Sequence, residues 1–469
     1  MYFNFNPFST ATARLTKRLQ TQISCSLQLC SGSRIAIIGG GPAGAMCAFF
    51  ILRLAKRLDI EFNIDIFEPR HFSSFGPAGC NHCGGIISES LVQLLALEGI
   101  HLPSKVIQKS IDSYVLHTDV GSVHITTPLQ EKRIAAVYRG GGPRGLQDSA
   151  WYSFDQYLLD LAQASGAKLQ HELVLDLKWH EGKPCIVSNT NEHPDYDLVI
   201  VATGINSKLA ETLAAKKFGY KLPSVTPTFI SEWHVGEDLV RQYLGTSMHV
   251  FLLDLPGLKF AALIPKRQFI TICLLGKNID QNLVQAFLNA TEVKKCLPPV
   301  TTGINVAACH CFPRINVAGS PHPFADRLLF IGDSGVTRLY KDGIGAAYRT
   351  AKAAANAIVI GGVAATDLQR HFMPICHKLN ADNAIGSIVF WASDLIQNMR
   401  FIRCALVKMT AIEQTSPQET KRLSTILWDV FTGSAPYREV LWRGLHPSFL
   451  ARLSWHILQA LNPFTNLFR

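Results

Sequence analysis

Residues 34–58 read RIAIIGGGPAGAMCAFFILRLAKRL, and this stretch decides the fold. It opens with an apolar run, Ile35 to Ile38, of the kind that forms a buried parallel strand. Glycines follow at Gly39, Gly41 and Gly44, then a segment rich in Ala, Leu, Arg and Lys that favours a helix. In the spacing Gly-x-Gly-x-x-Gly each glycine has its own task. Gly39 permits the tight turn out of the strand, Gly41 lets a pyrophosphate approach the backbone, and Gly44 lets the helix pack on the sheet. The helix opening at Pro42 and Ala43 presents free N–H groups and a partial positive charge to phosphates. A second strand, Asn63 to Phe67, ends in Glu68, 24 residues past Gly44, where an acid is placed to bind ribose hydroxyls. Strand, glycines, helix, strand and acid in register predict a site for an adenine dinucleotide.

At 469 residues the chain can bury a large core in two or three lobes. A net charge of +10 favours anionic partners such as nucleotides or acidic lipid headgroups. No nucleic-acid module and no dense basic-aromatic patch is present, so no nucleic-acid partner is expected. The twelve cysteines are scattered, which argues against a secreted disulfide scaffold and for a reducing cytoplasm. No apolar stretch reaches the roughly 20 residues of a spanning helix. Residues 1–33 contain no acid and lack the apolar core of a secretory signal. They read as a disordered leader, with a transit peptide or an amphipathic anchor as the alternatives.

Further along, a polar loop over 70–85 precedes a helix from Ser88 to Leu97. Alternation over 106–137 predicts antiparallel strands, among them Ser113–His117 and Ser122–Ile125. A helix is expected from Phe154 to Ala162, then a strand from His171 to Leu177. The run Asp197 to Gly204 closes on small residues, as a strand does where its end approaches a ligand. Residues 224–317 read as β-rich, and Leu328–Ile331 is a buried strand running into Gly332-Asp333. An Ala-rich helix follows Asp342-Gly343, and the rest of the chain is mostly helical. Nucleotide-type segments thus recur near 35, 199 and 330. The predicted organisation is α/β: a discontinuous Rossmann-like dinucleotide domain (34–105, 150–220, 318–365), an inserted antiparallel β-sheet substrate domain (106–149, 221–317) and a C-terminal helical region (366–469).

Three segments together resemble the flavoprotein superfamily of p-hydroxybenzoate hydroxylase and geranylgeranyl reductase: GGGPAG with Glu68, DLVIVATG, and LLFIGDSGVTRLYKDGIGAAYRTAKAAA. The resemblance implies a glutathione reductase-type fold and FAD as cofactor. Asp333, after Gly332, would hydrogen-bond the ribitol chain, and the helix after Gly343, Ile344 and Gly345 would face the flavin. Cys83-Gly84-Gly85 looks like the Cys-Gly-Gly segment of the geranylgeranyl reductases, with Cys83 a thiol at the flavin face. Leu255 to Lys266 resembles their Pro-x-x-Tyr-x-Trp-x-Phe-Pro motif, but Phe260 replaces the Tyr, Ala262 the Trp and Ile264 the Phe. Losing the indole enlarges the pocket. Trp151 stands where the superfamily usually has an arginine, and Arg144 is the expected substitute. The function implied is hydride transfer to a C=C bond of an apolar, isoprenoid-like substrate, with NAD(P)H or another reductant as electron donor. A monooxygenase or halogenase is the alternative, and a non-catalytic, membrane-associated flavoprotein is the alternative from another class.

Other patterns are weaker. Gly140 to Gly145 repeats the glycine spacing without a following helix and reads as a loop, with phosphate contacts from Arg139 and Arg144. Cys80 and Cys83, with Cys309 and Cys311, do not make a usual ligand set, so no metal site is expected. Tyr340 and Lys341 lie inside the flavin loop and are read, with Cys83, as catalytic candidates. Residues 440–469 contain no acid, and Trp442, Leu445, Phe449, Leu450, Leu453, Trp455, Leu458 and Leu461 recur near helical spacing. That suits either peripheral contact with anionic lipid or a helix packed on the protein's own core.

Overall fold

The apolar run at the start of the quoted stretch becomes the middle of a six-stranded sheet in the computed structural model of the chain. The residues described are 27–127, 133–144, 152–216, 218–299, 307–416 and 420–461. Most of the N-terminal leader, Trp151, residues 145–149 and the last eight positions lie outside them. The Arg34–Ile38 strand pairs in parallel with Asn63–Phe67 on one side and Leu198–Val201 on the other. Lys168–Gln170 and Leu328–Phe330 extend the parallel array, and Phe324–Ala325 closes one edge antiparallel. Both faces of the central strand are covered, which is why it is apolar throughout. Ile35 and Ile37 pack under the Pro42–Arg57, Phe154–Ala164 and Gly343–Asn356 helices, while Ala36 and Ile38 face a second layer with Leu177, Ile186 and Tyr196.

That second layer was not anticipated. It is a three-stranded antiparallel sheet of Val174–His180, Lys183–Ser188 and Glu192–His193. The strand expected over His171–Leu177 begins only at Val174 and runs to His180, and Lys168–Gln170 before it is a separate strand. Lys168–Gln170 finishes beside Phe67, His171 contacts the Glu68 carbonyl through Nδ1, and the chain resumes in the other sheet at Val174.

The larger sheet is mostly antiparallel and built from Ser113–Thr118, Gly121–Thr126, Ser224–His234, Ser247–Phe251, Leu258–Lys266, Phe269–Gly276, Ala307–Cys311 and Arg314–Ala318. Among the described residues its one parallel contact joins Ser113–Thr118 to Ser247–Phe251. Strand alternation separates its faces. Ile230, Cys273, Ala262, Val250 and Leu116 lie in one cross-strand row, so they share a face. On the other face Phe251, Leu263 and Ile272 pack with Phe287 from a helix, Gln281–Asn289, that the β-rich reading of 224–317 missed. The alternating segment over 106–137 also divides: Ile107–Ile111 and Ile134–Val137 join Ile86–Ile87 in a separate small sheet.

From Ala365 the described residues form six helices, the longest Met373–Asn398. They cover the first face of the large sheet: Phe390, Leu406, Leu427, Trp428, Phe431 and Tyr437 share a core with Tyr114, Leu116 and Phe260. Trp428 Nε1 donates to Glu89 Oε1 at 2.8 Å, so its indole is buried without an orphaned donor. The helix expected from residue 440 onward breaks in two, Tyr437–Gly444 and Pro447–Leu461. No helix among the described residues is long and apolar enough to cross a membrane.

Candidate dinucleotide and substrate cavity

A cavity of about 540 Å³ lies between the carboxyl ends of the parallel strands and the first face of the large sheet. One wall is the glycine turn. Gly39 has φ +106°, and a Cβ there would lie 2.5 Å from the Ala202 carbonyl oxygen. A Cβ on Gly44 would lie 1.9 Å from the Gly39 oxygen, so the helix sits against the turn with no room for a methyl group. Gly41 differs: its Cβ would meet only Asn81 Nδ2 at 3.2 Å and Asp155 Oδ1 at 3.9 Å. The cavity side of Gly41 is open, as close approach of a phosphate requires. Gly41 is the N-cap of the Pro42–Arg57 helix and offers no side-chain cap, which leaves that helix's first N–H groups for a ligand. Gly39, Gly41, Pro42 and Ala43 line the cavity; Gly44 serves packing.

Glu68 stands at the end of the second strand and is 1% exposed. Its carboxylate accepts from Gly40 N at 3.0 Å and from Arg70 N, Nε and Nη2 at 3.1, 2.9 and 3.2 Å. Those four bonds fill the usual acceptor positions of a carboxylate. A ribose therefore reaches Glu68 only when the Arg70 side chain gives way. Arg70 also donates to Asn81 Oδ1 at 2.9 Å, and Asn81 Nδ2 donates to Asp155 Oδ1 at 2.8 Å.

Asp155 is fully buried and takes a two-point contact from Arg139, Nε at 2.6 Å and Nη2 at 3.0 Å. Burial alone would lower the Arg139 pKa, but Asp155 and Cys83 raise it above its ordinary value. Removing one member of such a pair strands the other charge, at a cost of about 3–5 kcal/mol. Of the two arginines expected from this loop, Arg139 lines the cavity and Arg144 does not. Arg144 is exposed, and its Cγ sits 2.7 Å from where a Gly76 Cβ would be. The lookalike glycines have a packing role: Cβ atoms on Gly140 and Gly141 would lie 2.5 Å from the Gly79 oxygen and 2.3 Å from the Ser73 oxygen.

The opposite end is built by residues 332–345. Gly332 has φ +60°, donates its N–H to Thr350 Oγ1 at 3.1 Å, and brings Asp333 to the cavity wall. Burial raises the Asp333 pKa, while a hydrogen bond from Thr337 and the charge of Arg139 act against it. Asp342 adopts a left-handed conformation and caps the Gly343–Asn356 helix by accepting from Gly345 N at 3.2 Å. A Cβ on Gly345 would lie 2.2 Å from that carboxylate, so Gly345 serves the cap while Gly343 and Ile344 line the cavity.

The loop between these points is held by the C-terminal helices, a role no motif signalled. Asn383 accepts from Leu339 N and donates to the Thr337 oxygen, both at 2.8 Å. Arg338 is buried and donates to the Gly433 and Ala435 carbonyls, and the Tyr437 hydroxyl donates to the Leu339 carbonyl. Their partners lie 44 to 98 residues away in sequence, beyond any local pattern.

The large sheet supplies an apolar wall of Ile230, Met248, Ala262, Ile264, Cys273 and Leu275, with Phe431 from the helices. Cys83, Gly84, Gly85, Tyr340 and Lys341 meet it, so all three catalytic candidates reach one cavity. Tyr340 has φ +58° and sets its ring edge-on to Phe390 at 4.8 Å. Lys341 Nζ lies 4.1 Å from the Phe260 ring centroid, and burial lowers its pKa to about 8. Lys341 has no ion pair among the described residues. Nearby, Lys266 is 1% exposed and pairs with Glu232 at 2.9 Å, a buried contact that the sequence did not advertise. Cys309 and Cys311 sit on the cavity-side face beside Glu232 and Ile230, and burial pushes their thiols up to about 11 and about 12. They are protonated at neutral pH, and among the described residues they form no three-ligand cluster with Cys80 and Cys83.

No protein-family profile and no curated protein sequence matches the chain. Solved structures do. A geranylgeranyl bacteriochlorophyll reductase-like protein from Thermoplasma acidophilum superposes with TM-score 0.62 at 14% identity, over 91% of this chain and 99% of that one. The halogenase PltM, in complex with phloroglucinol and FAD, gives 0.59 at 12% identity over 92% and 97%. A flavoprotein/dehydrogenase from Cytophaga hutchinsonii gives 0.57 at 13% identity over 91% and 98%. The chain shares their fold. Within it, the parallel sheet and the mostly antiparallel sheet meet at the cavity described above.

Proposed function

We propose that the chain is an FAD-dependent oxidoreductase that reduces a C=C bond of an apolar, isoprenoid-like substrate. The observation that carries this reading is the two-sided cavity, with a phosphate-accommodating turn and the capped Gly343–Asn356 helix at one side and an apolar sheet wall at the other. The residues present fit the cofactor: Gly41 and Gly343 leave space a Cβ would fill, and Asp333, on the cavity wall, would accept from a polyol hydroxyl. When bound, FAD would supply the hydride, recharged by NAD(P)H or another reductant. The chain's own contribution is positional and electrostatic. The positive end of the Gly343–Asn356 helix favours negative charge at its N-terminus, and the wall of Ile230, Ala262 and Ile264 excludes water. Lys341 carries a transferable proton below about pH 8, with Cys83 and Tyr340 beside it at the cavity. In this reading the residues around Ala262 bound the substrate, in a domain made of the large sheet.

The test is anaerobic reduction of an isoprenoid alkene by the dithionite-reduced protein. The expected result is one saturated product per flavin. Halogenation of an added aromatic with oxygen and halide, without alkene reduction, would instead establish the second reading, which the likeness to the halogenase fold supports.

We also propose that the outer side of the last two helices rests on anionic membrane. Phe449 and His456 face inward, whereas Trp442 and Trp455 are 73% and 61% exposed, with Leu458 and Leu461 beside them. Flotation with phosphatidylserine vesicles should recover the protein, and Trp442→Ser with Trp455→Ser should reduce recovery several-fold. Equal recovery from neutral vesicles, or none from either, would refute the contact.

A further inference from the structure

On the face of the large sheet turned away from the cavity, three buried side chains from distant parts of the chain converge. His117 comes from the Ser113–Thr118 strand, His249 from the Ser247–Phe251 strand, and Cys296 from the turn after the short Thr291–Lys294 helix. His117 Nε2 lies 2.9 Å from His249 Nδ1, which lies 3.4 Å from Cys296 Sγ; the third edge, Sγ to His117 Nε2, is 3.6 Å. We propose that these three atoms are the ligands of a zinc ion, with water or the exposed His124 of the neighbouring strand in the fourth position.

The triangle has the right size. Zinc bonded tetrahedrally at about 2.0–2.1 Å to nitrogen and about 2.3 Å to sulfur sets its ligand atoms roughly 3.3–3.6 Å apart. Only the nitrogen–nitrogen edge has to open, by a few tenths of an ångström. The outer bonds of the two rings are also those of metal-bound histidines, which hand their second nitrogen to a fixed partner. His117 Nδ1 meets Ser122 Oγ at 2.8 Å, and His249 makes a hydrogen bond to the Leu244 backbone. In the metal-free cluster one inward nitrogen carries the proton of the 2.9 Å His117–His249 hydrogen bond; with metal bound, each ring would hold its proton on the outer nitrogen and offer the inner lone pair. Both rings are buried, His117 at 7% and His249 at 8% exposure. His117 is stacked between the His249 ring, 5.0 Å away, and the Phe251 ring, 4.7 Å away, which fixes its direction.

Without metal the cluster is a self-contained hydrogen-bond group, with the Cys296 thiol donating to the Glu292 carbonyl at 3.3 Å. Binding redirects the sulfur: the S–H bond breaks, its proton leaves to solvent, and the electron pair forms the sulfur–zinc bond. A borderline set of two imidazoles and one thiolate suits zinc among the common divalent ions. The ion would staple the helices after residue 280 to two strands of the sheet, and it is independent of any flavin.

The full-length chain, stripped with chelator and loaded with cobalt(II), tests this. One cobalt per chain and a thiolate-to-cobalt charge-transfer band are expected, the band disappearing in Cys296→Ser and persisting in Cys311→Ser. Should Cys296→Ser not fold, X-ray absorption on the zinc-loaded wild-type chain decides, with one sulfur among nitrogen and oxygen ligands as the expected shell. Ser122→Ala should weaken zinc binding roughly 10–100-fold. A band that survives Cys296→Ser, a band that follows Cys311, or a shell with no sulfur or several would each overturn the assignment.

Discussion

Gly41→Val is expected to leave a folded, soluble and colourless protein, with flavin affinity reduced roughly 10–100-fold or more. The reason lies in how differently the three glycines are used. Gly41 has φ −65° and ψ −177°, a backbone any residue adopts, and its Cβ would touch only the edge of Asn81 and, at ordinary distance, Asp155. The fold tolerates a side chain there; the route for a pyrophosphate does not. Gly44→Ala is the contrasting variant. Its methyl carbon would lie 1.9 Å from a backbone oxygen, so the helix must leave the sheet, and insoluble protein is the expected outcome. Flavin titration of the folded Gly41→Val protein is the measurement. Unchanged affinity would remove the glycine turn from the cofactor site and, with it, the main support for the proposed function.

Lys341→Met should lower turnover about 10²–10⁴-fold, the usual worth of a positioned acid, and should also raise the melting temperature at neutral pH. Both effects follow from one buried amine. Its folded-state pKa of about 8 lies below the ordinary lysine value, because burial disfavours the charge. Between about pH 8 and the ordinary value near 10.4, the unfolded chain binds more protons than the folded one. Stability attributable to Lys341 therefore rises with pH across that window, and the penalty is fully present below about 8. Removing the amine relieves roughly 1–3 kcal/mol at pH 7, scaled down for its partial exposure to the cavity. Activity runs the other way: wild-type turnover should decline above about pH 8 as the donor loses its proton. Lys341→Arg keeps the charge but holds its proton too tightly, so it should be slow with no such decline. Full activity in Lys341→Met would assign the proton to another group.

The glycine-turn half of the candidate site was legible because its pattern is local. Strand, turn and helix follow one another within residues 34–58, and the glycines occupy fixed steps along that path. Asp333 was readable for the same reason, as the end of an apolar strand. What could not be read depends on which segments pack together. Arg139 and Arg144 flank the same glycine run, and only the fold of residues 71–80 over Gly140 and Gly141 turns one inward and leaves the other in solvent. The saturation of Glu68 by Arg70 is invisible in a spacing of two residues. Helices over 237–243 and 281–289 were hidden because the strands around them are so strongly apolar. The His117, His249 and Cys296 cluster spans 179 residues, with no two ligands in a motif.

The Asn383, Gly433 and Tyr437 contacts to the loop over 337–339 set a schedule for biosynthesis. The glycine turn leaves the ribosome almost 400 residues before Gly433, which at about 5–20 residues per second is an interval on the order of a minute. Through that time the glycine-turn half exists without its clamp, and the apolar wall of the sheet waits for Phe390, Trp428 and Phe431 to cover it. A nascent chain can thus offer the glycine turn early, but the cavity gains its covering helices only once residues 383–437 have been made. Chaperone demand should accordingly concentrate on the intermediate that ends between the sheet and the last helices.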